Sequence, residues 1–155
     1  MKRLLLLLPL AVACSTPATP LPSTTAAIET GDLTAPAVRS VMIDGRTLDV
    51  AVASTPTDRS QGLQGVSDLG DLDGMLFEWG GGTVSSRFTM DNTLIPLDIF
   101  FFDANGRFVD GFAMVPCESD PCPSYAAALP YAYAIEVPVG SQPTVGVGSV
   151  LSISG

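Results

Sequence analysis

The sequence predicts a mainly β fold, a small compact β-barrel or sandwich-like domain with one short helix after the first hairpin. Short runs of alternating apolar and polar residues recur along most of the chain. Turn-forming pairs separate them: Asp44-Gly45 is a strong signal of a two-residue hairpin loop, and Asn105-Gly106 predicts a second hairpin turn. Only residues 54–65 have the signals of a helix start. Many short strands with frequent turns are typical of small barrels and sandwiches.

The first hairpin is predicted from VRSVMI and RTLDVAVA, the runs on either side of the first turn pair. The helix follows in STPTDRSQGLQG. Ser54 or Thr55 suits its N-cap, and Pro56 suits its first turn. These signals predict a helix of two or three turns that ends near Gly65.

The later strands are predicted from further apolar runs, and the pair around Asn105-Gly106 forms a second hairpin. The expected strands cover residues 75–79, 86–90, 97–103, 107–113, 132–137 and 149–153.

The N-terminus predicts export and a lipid anchor. In residues 1–13, Lys2 and Arg3 precede an apolar run that is shorter than the about 20 residues of a membrane span, as in secretory signals. The run ends in Leu-Ala-Val-Ala before Cys14, which is similar to a bacterial lipoprotein signal whose cysteine takes the lipid. The alternative is an ordinary signal peptide that is discarded together with Cys14.

Residues 14–37 would then form a tether, and residues 38–155 a single domain. The tether is rich in Ser, Thr, Pro and Ala, so it buries too little apolar surface to fold. Ser15 after the lipid cysteine resembles signals that are routed to an outer membrane. The expected location is the cell envelope, at the periplasmic face of an outer membrane where the cell has one.

The charge of the chain excludes several classes of function. Without residues 1–13, five arginines face sixteen acidic residues, a balance of −11. Such a surface repels phosphate backbones, so nucleic acid is not expected as a partner. The chain has no histidine, which excludes Ser-His-Asp and Cys-His catalysis and His-ligated zinc. We expect neither a cofactor nor a metal.

The acidic loops do not fit a calcium site. DLGDLDG supplies Asp68, Asp71 and Asp73, but the first and last ligand positions of a calcium loop hold Leu69 and Gly80. A solvated acidic loop is the simpler reading.

Cys117 and Cys122 lie in PCESDPCPSY. In an exported protein such a pair most simply forms a disulfide that rigidifies a proline-rich loop. A redox-active pair is the alternative. It is disfavoured because the spacing is not C-x-x-C and the acids between the two sulfurs oppose thiolate formation.

Asp98 is an acid in the middle of the apolar run LIPLDIFFF. Alternation places it with Phe100 on one face of a central strand, and a buried carboxylate needs a partner. Arg59, nearby hydroxyls, or backbone N–H groups of the preceding loop could supply one. The structural reading is that Asp98 organises this loop, and the functional reading is a small polar site with Arg59, Asn92 and Thr93.

Several segments resemble the DUF192 family, also called UPF0127. They are STPTDRSQGL, GMLFEW, FTMDNTLIPLDIFFFDANGRFV, PCESDPCPSY and YAIEVPVG, in that order from about residue 46 to residue 153. The resemblance implies a compact, mainly β domain in an exported or membrane-linked prokaryotic protein, and it implies no reaction. It carries over a candidate binding pocket of Arg59, Met90, Asn92, Thr93 and Asp98.

Two departures from the family pattern remove positive charge. A basic residue is expected where this chain has Asp91, and a methionine followed by an arginine is expected around Gln64 to Val66. If relatives bind an anion there, we expect this chain to bind it weakly or not at all.

We therefore expect a non-enzymatic, lipid-anchored envelope domain that binds a small polar ligand or an envelope partner. The competing hypothesis is a hydrolase or lyase that uses a carboxylate pair, Asp98 with Asp91 or Asp103. A purely structural spacer without a pocket is the third possibility.

Overall fold

A computed structural model describes residues 36–153. The predicted signal peptide, Cys14 and the tether up to residue 35 lie outside the described residues. Within the described part, no helix has the length and apolar character that a membrane crossing needs.

Nine strands and one helix make up residues 36–153. In chain order they are β1 (Val38–Ile43), β2 (Arg46–Ala53), α1 (Pro56–Gln61), β3 (Gly74–Glu78), β4 (Phe88–Thr89), β5 (Leu97–Phe102), β6 (Phe108–Met114), β7 (Ser124–Tyr125), β8 (Tyr133–Pro138) and β9 (Leu151–Ile153).

Seven strands form one curled sheet in the order β6-β5-β8-β3-β2-β1-β9, and β4 pairs with β7 in a separate ribbon. All neighbours in the curled sheet are antiparallel except β2 and β3, which α1 connects as a crossover. A bridge between Arg107 and Val150 joins the starts of the two outermost strands. The sheet is therefore a half-barrel whose edges meet at one end.

Apolar side chains pack on both faces of this sheet. The inner core lies inside the curl and takes residues from nearly every strand, among them Leu48, Leu76, Phe102 and Ile135. The outer core lies on the opposite face, where Leu63 from the turn after α1 packs with Phe77, Met90, Phe101 and Tyr131. Strands β3, β5 and β8 face both cores, which explains why their sequences are apolar at nearly every position.

The predicted fold class is confirmed: the domain is mainly β, with one short helix after the first hairpin. The Asp44-Gly45 turn joins β1 to β2 as expected. Thr55 is the N-cap and forms a capping box with Asp58, in which each side chain accepts a bond from the other residue's backbone N–H.

The predicted length of the helix was wrong. It has six residues, less than two turns, and ends before Gly62, whose φ of 48° takes the chain out of the helix. Gly65, the expected end, instead donates its N–H to the carbonyl of Asn92 at 2.8 Å.

The second hairpin forms through Asn105-Gly106 as predicted, with strand ends one residue farther from the turn on each side. Its connection is five residues long, from 103 to 107, because the Asp103 carboxylate accepts the N–H groups of Asn105 and Arg107, both at 2.8 Å. A β-bulge at Phe101/Phe102 accompanies this loop. The short strand β7 follows the cysteine loop, in a segment where no apolar alternation predicts a strand.

Candidate functional site

A cavity of about 450 Å³ opens between α1, β3 and the segment that leads into β4. The helix and the turn after it form one wall, and β3 with residues 86–89 forms the other. The side chain of Glu136, on β8, reaches it from the sheet. The charged residues that line the cavity are Arg59, Arg87 and Glu136, and the aromatic ones are Phe77, Trp79 and Phe88.

Glu136 is a buried acid in an apolar strand, and only 5% of it is exposed. Alternation along β8 turns it toward the outer core, and its cross-strand neighbours there are Met75 and Ile99. Its carboxyl forms no hydrogen bond or ion pair with any residue between 36 and 153. Burial without a partner raises the pKa of Glu136 to about 8, so this carboxyl is mostly protonated at neutral pH.

Arg59 is held at the cavity by backbone carbonyls. It lies in the last turn of α1. Its Nη1 donates to the carbonyl of Glu78 at 2.9 Å and also to the carbonyl of Ser54. The guanidinium lies 5.5 Å from the centre of the Trp79 ring, in a cation–π arrangement. Arg59 therefore brings a fixed positive charge to the cavity wall.

Arg87 brings a second positive charge from the segment just before β4. Its Nε donates to the hydroxyl of Ser124 at 2.7 Å, and its Nη2 donates to the Ser124 carbonyl at 3.4 Å. Ser124 belongs to β7, so the two-stranded ribbon holds this side chain at the cavity. Arg87 is exposed, which places it toward the opening.

Aromatic rings support the wall between these groups. Phe77 and Phe88 pack edge to face, with ring centroids 5.1 Å apart. Trp79 packs in the same way on Tyr131, at 5.3 Å. The Tyr131 hydroxyl donates to the carbonyl of Ser86, and burial raises the pKa of this phenol to about 12. Tyr131 thus stays neutral and ties the segment before β4 to the core.

The structure separates the predicted pocket residues. Arg59 and Thr93 line the cavity, and Thr93 is only 7% exposed. Met90 is buried in the outer core, where its carbonyl accepts from the N–H groups of Thr93 and Cys117. Asn92 lies in the same turn, at φ 50°, with its side chain exposed. Met90 and Asn92 therefore shape the turn that presents Thr93.

Asp98 lies on the other face of β5, the face of Phe100 and the inner core. It is half-buried, and its Oδ2 accepts the N–H of Gly140 at 2.7 Å. Neither Arg59 nor the loop before β5 supplies its partner. Asp98 instead holds the turn that follows β8, which agrees with a structural role and not with a place in the cavity.

The two cysteines of the proline-rich loop lie at disulfide distance, as predicted, with their Cα atoms 5.6 Å apart. The loop leads into β7 and so into the ribbon that holds Arg87.

The acidic side chains of DLGDLDG bind backbone N–H groups. Asp68 accepts a hydrogen bond from the N–H of Gly70, and Asp73 accepts one from the N–H of Asp49. Between residues 36 and 153, no group of three potential metal ligands is close enough to hold an ion.

Glu136 and Arg87 are the cavity residues that the sequence reasoning missed. Glu136 stands between Ile135 and Val137, so the argument applied to Asp98 selects it equally well. Arg87 had no such signal, because its position depends on the pairing of two two-residue strands.

The comparisons with known proteins give a fold and a family. A search of curated proteins found no match. A crystal structure from Sinorhizobium meliloti 1021, described as a proposed transcription regulator, is 30% identical and superposes with a TM-score of 0.68 over 77% of this chain and 95% of that one. A protein of unknown function from Novosphingobium aromaticivorans DSM 12444 is 24% identical, with a TM-score of 0.65 over 79% and 89% of the two chains.

The family model agrees with the resemblance in the sequence. It is DUF192, described as "Uncharacterized ACR", and it matches residues 39–153, nearly all of the described domain. The chain belongs to the DUF192 family.

Proposed function

We propose that this chain is a non-enzymatic binding module whose cavity takes up a small polar ligand. One observation supports this most strongly: Glu136 is only 5% exposed, and its carboxyl borders the cavity without forming a hydrogen bond to any residue in the described part of the chain. Buried polar groups are nearly always hydrogen-bonded. A ligand with a polar group at this point would satisfy Glu136.

The composition of the cavity favours binding over catalysis by a carboxylate pair. Glu136 is its single acidic lining residue within the described residues. Asp98 lies on the other face of the sheet, and the Asp103 carboxylate already accepts two backbone N–H groups. A hydrolase or lyase of the expected kind needs two carboxyls within reach of one substrate.

We further propose that the domain works at the cell envelope, held to the membrane by a lipid on Cys14. The cationic start, the short apolar run and the lipoprotein-like sequence before Cys14 support this. Fatty-acid labelling of the expressing cells should mark the wild-type chain and not Cys14→Ser. Equal labelling of both would contradict the anchor.

A nucleic-acid function does not fit the charge of this domain. The five arginines and fourteen acidic residues between 36 and 153 leave the domain strongly negative. DNA binding needs positive charge along the phosphates. An envelope protein is a second possible partner for this surface.

Ligand binding can be tested with two labelled variants, one at the cavity and one away from it. Ser60 lines the cavity, whereas Thr47 is an exposed residue of β2 outside it. We would label Ser60→Cys and Thr47→Cys with a bulky maleimide in the full chain, purified in detergent. Each would be screened by thermal shift against sugars, amino acids, amines, carboxylates, phosphates, short peptides and metals.

The cavity is the site if a compound raises the melting temperature of the wild type and of the chain labelled at residue 47, but not of the chain labelled at residue 60. If no compound stabilises the wild type, or if the two labels act equally, the proposal fails.

A further inference from the structure

We propose, on the basis of the binding function above, that the cavity selects a small organic anion, a carboxylate or phosphate, held by Arg59 and Arg87 beside the Glu136 carboxyl. The ligand class follows from the charge of the cavity, the free donors of the two guanidinium groups, and the surroundings of Glu136.

The charge of the cavity is opposite to that of the domain. Five arginines stand among fourteen acids between residues 36 and 153, yet the one ion pair in this range joins Arg39 to Glu78. Arg59 and Arg87 both line the cavity, and neither forms an ion pair within this range. The nearby Asp58 carboxylate, whose pKa is lowered mainly by its hydrogen bonds with Thr55 and to a smaller extent by Arg59, does not line the cavity. With Glu136 protonated, the cavity has two positive groups and no negative one. An anion is the ligand that neutralises it.

Both guanidinium groups keep donors free. The two hydrogen bonds of Arg59 come from Nη1, so its Nε and Nη2 remain available. Arg87 uses Nε and Nη2 on Ser124, so its Nη1 remains available. Backbone carbonyls and a hydroxyl thus hold the two side chains in place without neutralising them. Arginine held in this way is suited to carboxylate and phosphate oxygens.

Other charged groups near Glu136 do not change this assignment. The strands beside β8 present Met75 and Ile99 to it. One strand farther, Asp110 on β6 lies beside Phe101, but its carboxylate accepts the N–H groups of Gly111 and Ala128. Arg59 and Arg87 are the only ionised groups that line the cavity within the described residues.

The aromatic wall favours an anion with an apolar part. Phe77 and Phe88 lie between the segments that carry the two arginines, and their rings, packed edge to face, give this part of the cavity an apolar surface. A purely inorganic anion would leave this surface without contacts. A planar or short-chain organic acid would cover it and gain apolar burial.

This assignment differs from the weak anion binding expected from Asp91 and from Gln64 to Val66. That expectation does not count Arg87, which supplies positive charge from a different segment. Asp91 is exposed and does not line the cavity, whereas Gln64 does.

The affinity for an anionic ligand and the affinity for a cationic ligand should depend on pH in opposite directions. An anion beside Glu136 requires the neutral carboxyl, so affinity should fall about tenfold per pH unit once Glu136 ionises above about pH 8. An ammonium ligand requires the ionised carboxyl, so its affinity should rise as pH increases toward 8. The sign of the pH dependence therefore identifies the ligand class.

The test uses three fragments with one phenyl ring and different charges: benzoate, neutral benzamide and the benzylammonium ion, with inorganic phosphate as a fourth probe. Trp79 is the only tryptophan and lines the cavity, so its indole N–H signal in ¹⁵N-labelled full chain reports occupancy. We expect benzoate to shift this signal in a saturable way and to bind at least about tenfold tighter than the other two fragments at pH 6.5. Phosphate should bind more weakly than benzoate, because it makes no contact with the aromatic wall.

Four variants locate the effect. Arg59→Gln and Arg87→Gln should each weaken benzoate binding about tenfold. Arg46→Gln removes the same charge from a side chain that bonds the Ser141 carbonyl outside the cavity, and it should not change binding. Glu136→Gln keeps a donor but cannot ionise, so its affinity for benzoate should no longer depend on pH between 6 and 9.5.

Tighter binding of benzylammonium than of benzoate, or benzoate affinity that rises with pH, would overturn the anion assignment and leave the cavity as a binding site. An equal effect of Arg46→Gln and Arg59→Gln would show nonspecific charge attraction and would also overturn it. Failure of all probes on Trp79 would overturn this inference, whereas the labelled-helix screen decides separately on the binding function.

Discussion

Glu136→Gln should make the folded domain more stable than the wild type at pH 9, and similar to it near pH 5. In the folded chain the pKa of Glu136 is about 8, against an ordinary value of 4.5. Between these values the folded state keeps a proton that the unfolded state has released. The free energy of unfolding therefore falls as pH rises through this window, by about 5 kcal/mol in total, and levels off above pH 8.

The measurement is denaturant unfolding of the full chain in detergent, followed by Trp79 fluorescence from pH 5 to pH 9. Glu118→Gln removes an equivalent charge from an exposed position and serves as the matched control. Asp44, Asp58 and Asp103 have pKa values lowered by hydrogen bonds, so they titrate below the window and do not contribute to this slope. Equal slopes for the wild type and Glu136→Gln would show that Glu136 is not buried as described.

Gly106→Ala should destabilise the fold strongly, by about 3 kcal/mol or more. Gly106 has φ 74°, and a Cβ added there would lie 2.0 Å from the carbonyl oxygen of Leu151. Its own carbonyl accepts the Leu151 N–H at 2.7 Å. The clash therefore falls on the contact that joins the β5–β6 loop to β9, where the edges of the sheet meet.

Gly45→Ala is the matched control for this substitution. Gly45 also lies in a hairpin turn at positive φ, 83°, but a Cβ there would meet nothing within 4 Å. It should cost about 1 kcal/mol, for the backbone conformation alone. Chemical denaturation of both variants would isolate the cost of the close approach. If Gly106→Ala costs no more than Gly45→Ala, the loop and β9 do not pack as closely as described.

The sequence was a good guide to the fold because local rules governed most of it. The Asp44-Gly45 turn and the capping residues around Thr55 act over a few residues, and both appear where they were expected. The predicted length of the helix was wrong, because the helix ends at Gly62 and not at Gly65. The second hairpin forms as predicted, but its loop is longer by one residue on each side because the Asp103 side chain accepts two backbone N–H groups.

The site was harder to predict than the fold, for a different reason. Asp98 and Glu136 are both single acids in apolar strands, and the sequence gives no measure of which one has a partner. The structure shows the difference. The N–H of Gly140 donates a hydrogen bond to the Asp98 carboxylate, whereas no residue between 36 and 153 forms a hydrogen bond with the Glu136 carboxyl. Arg59 and Thr93 line the cavity, whereas the position of Arg87 depends on a long-range strand pairing.

The bridge between Arg107 and Val150 also affects how copies of this protein behave toward one another. Unpaired backbone at the outer strands of an open sheet can template strand addition and aggregation. Here the N–H of Phe108 and the carbonyl of Gly106 are already bonded to the segment that enters β9. At this end the backbone N–H and carbonyl groups of the two outermost strands form hydrogen bonds with each other. A variant that opens this contact would expose two strand edges together, so its first visible defect should be self-association of the folded chain.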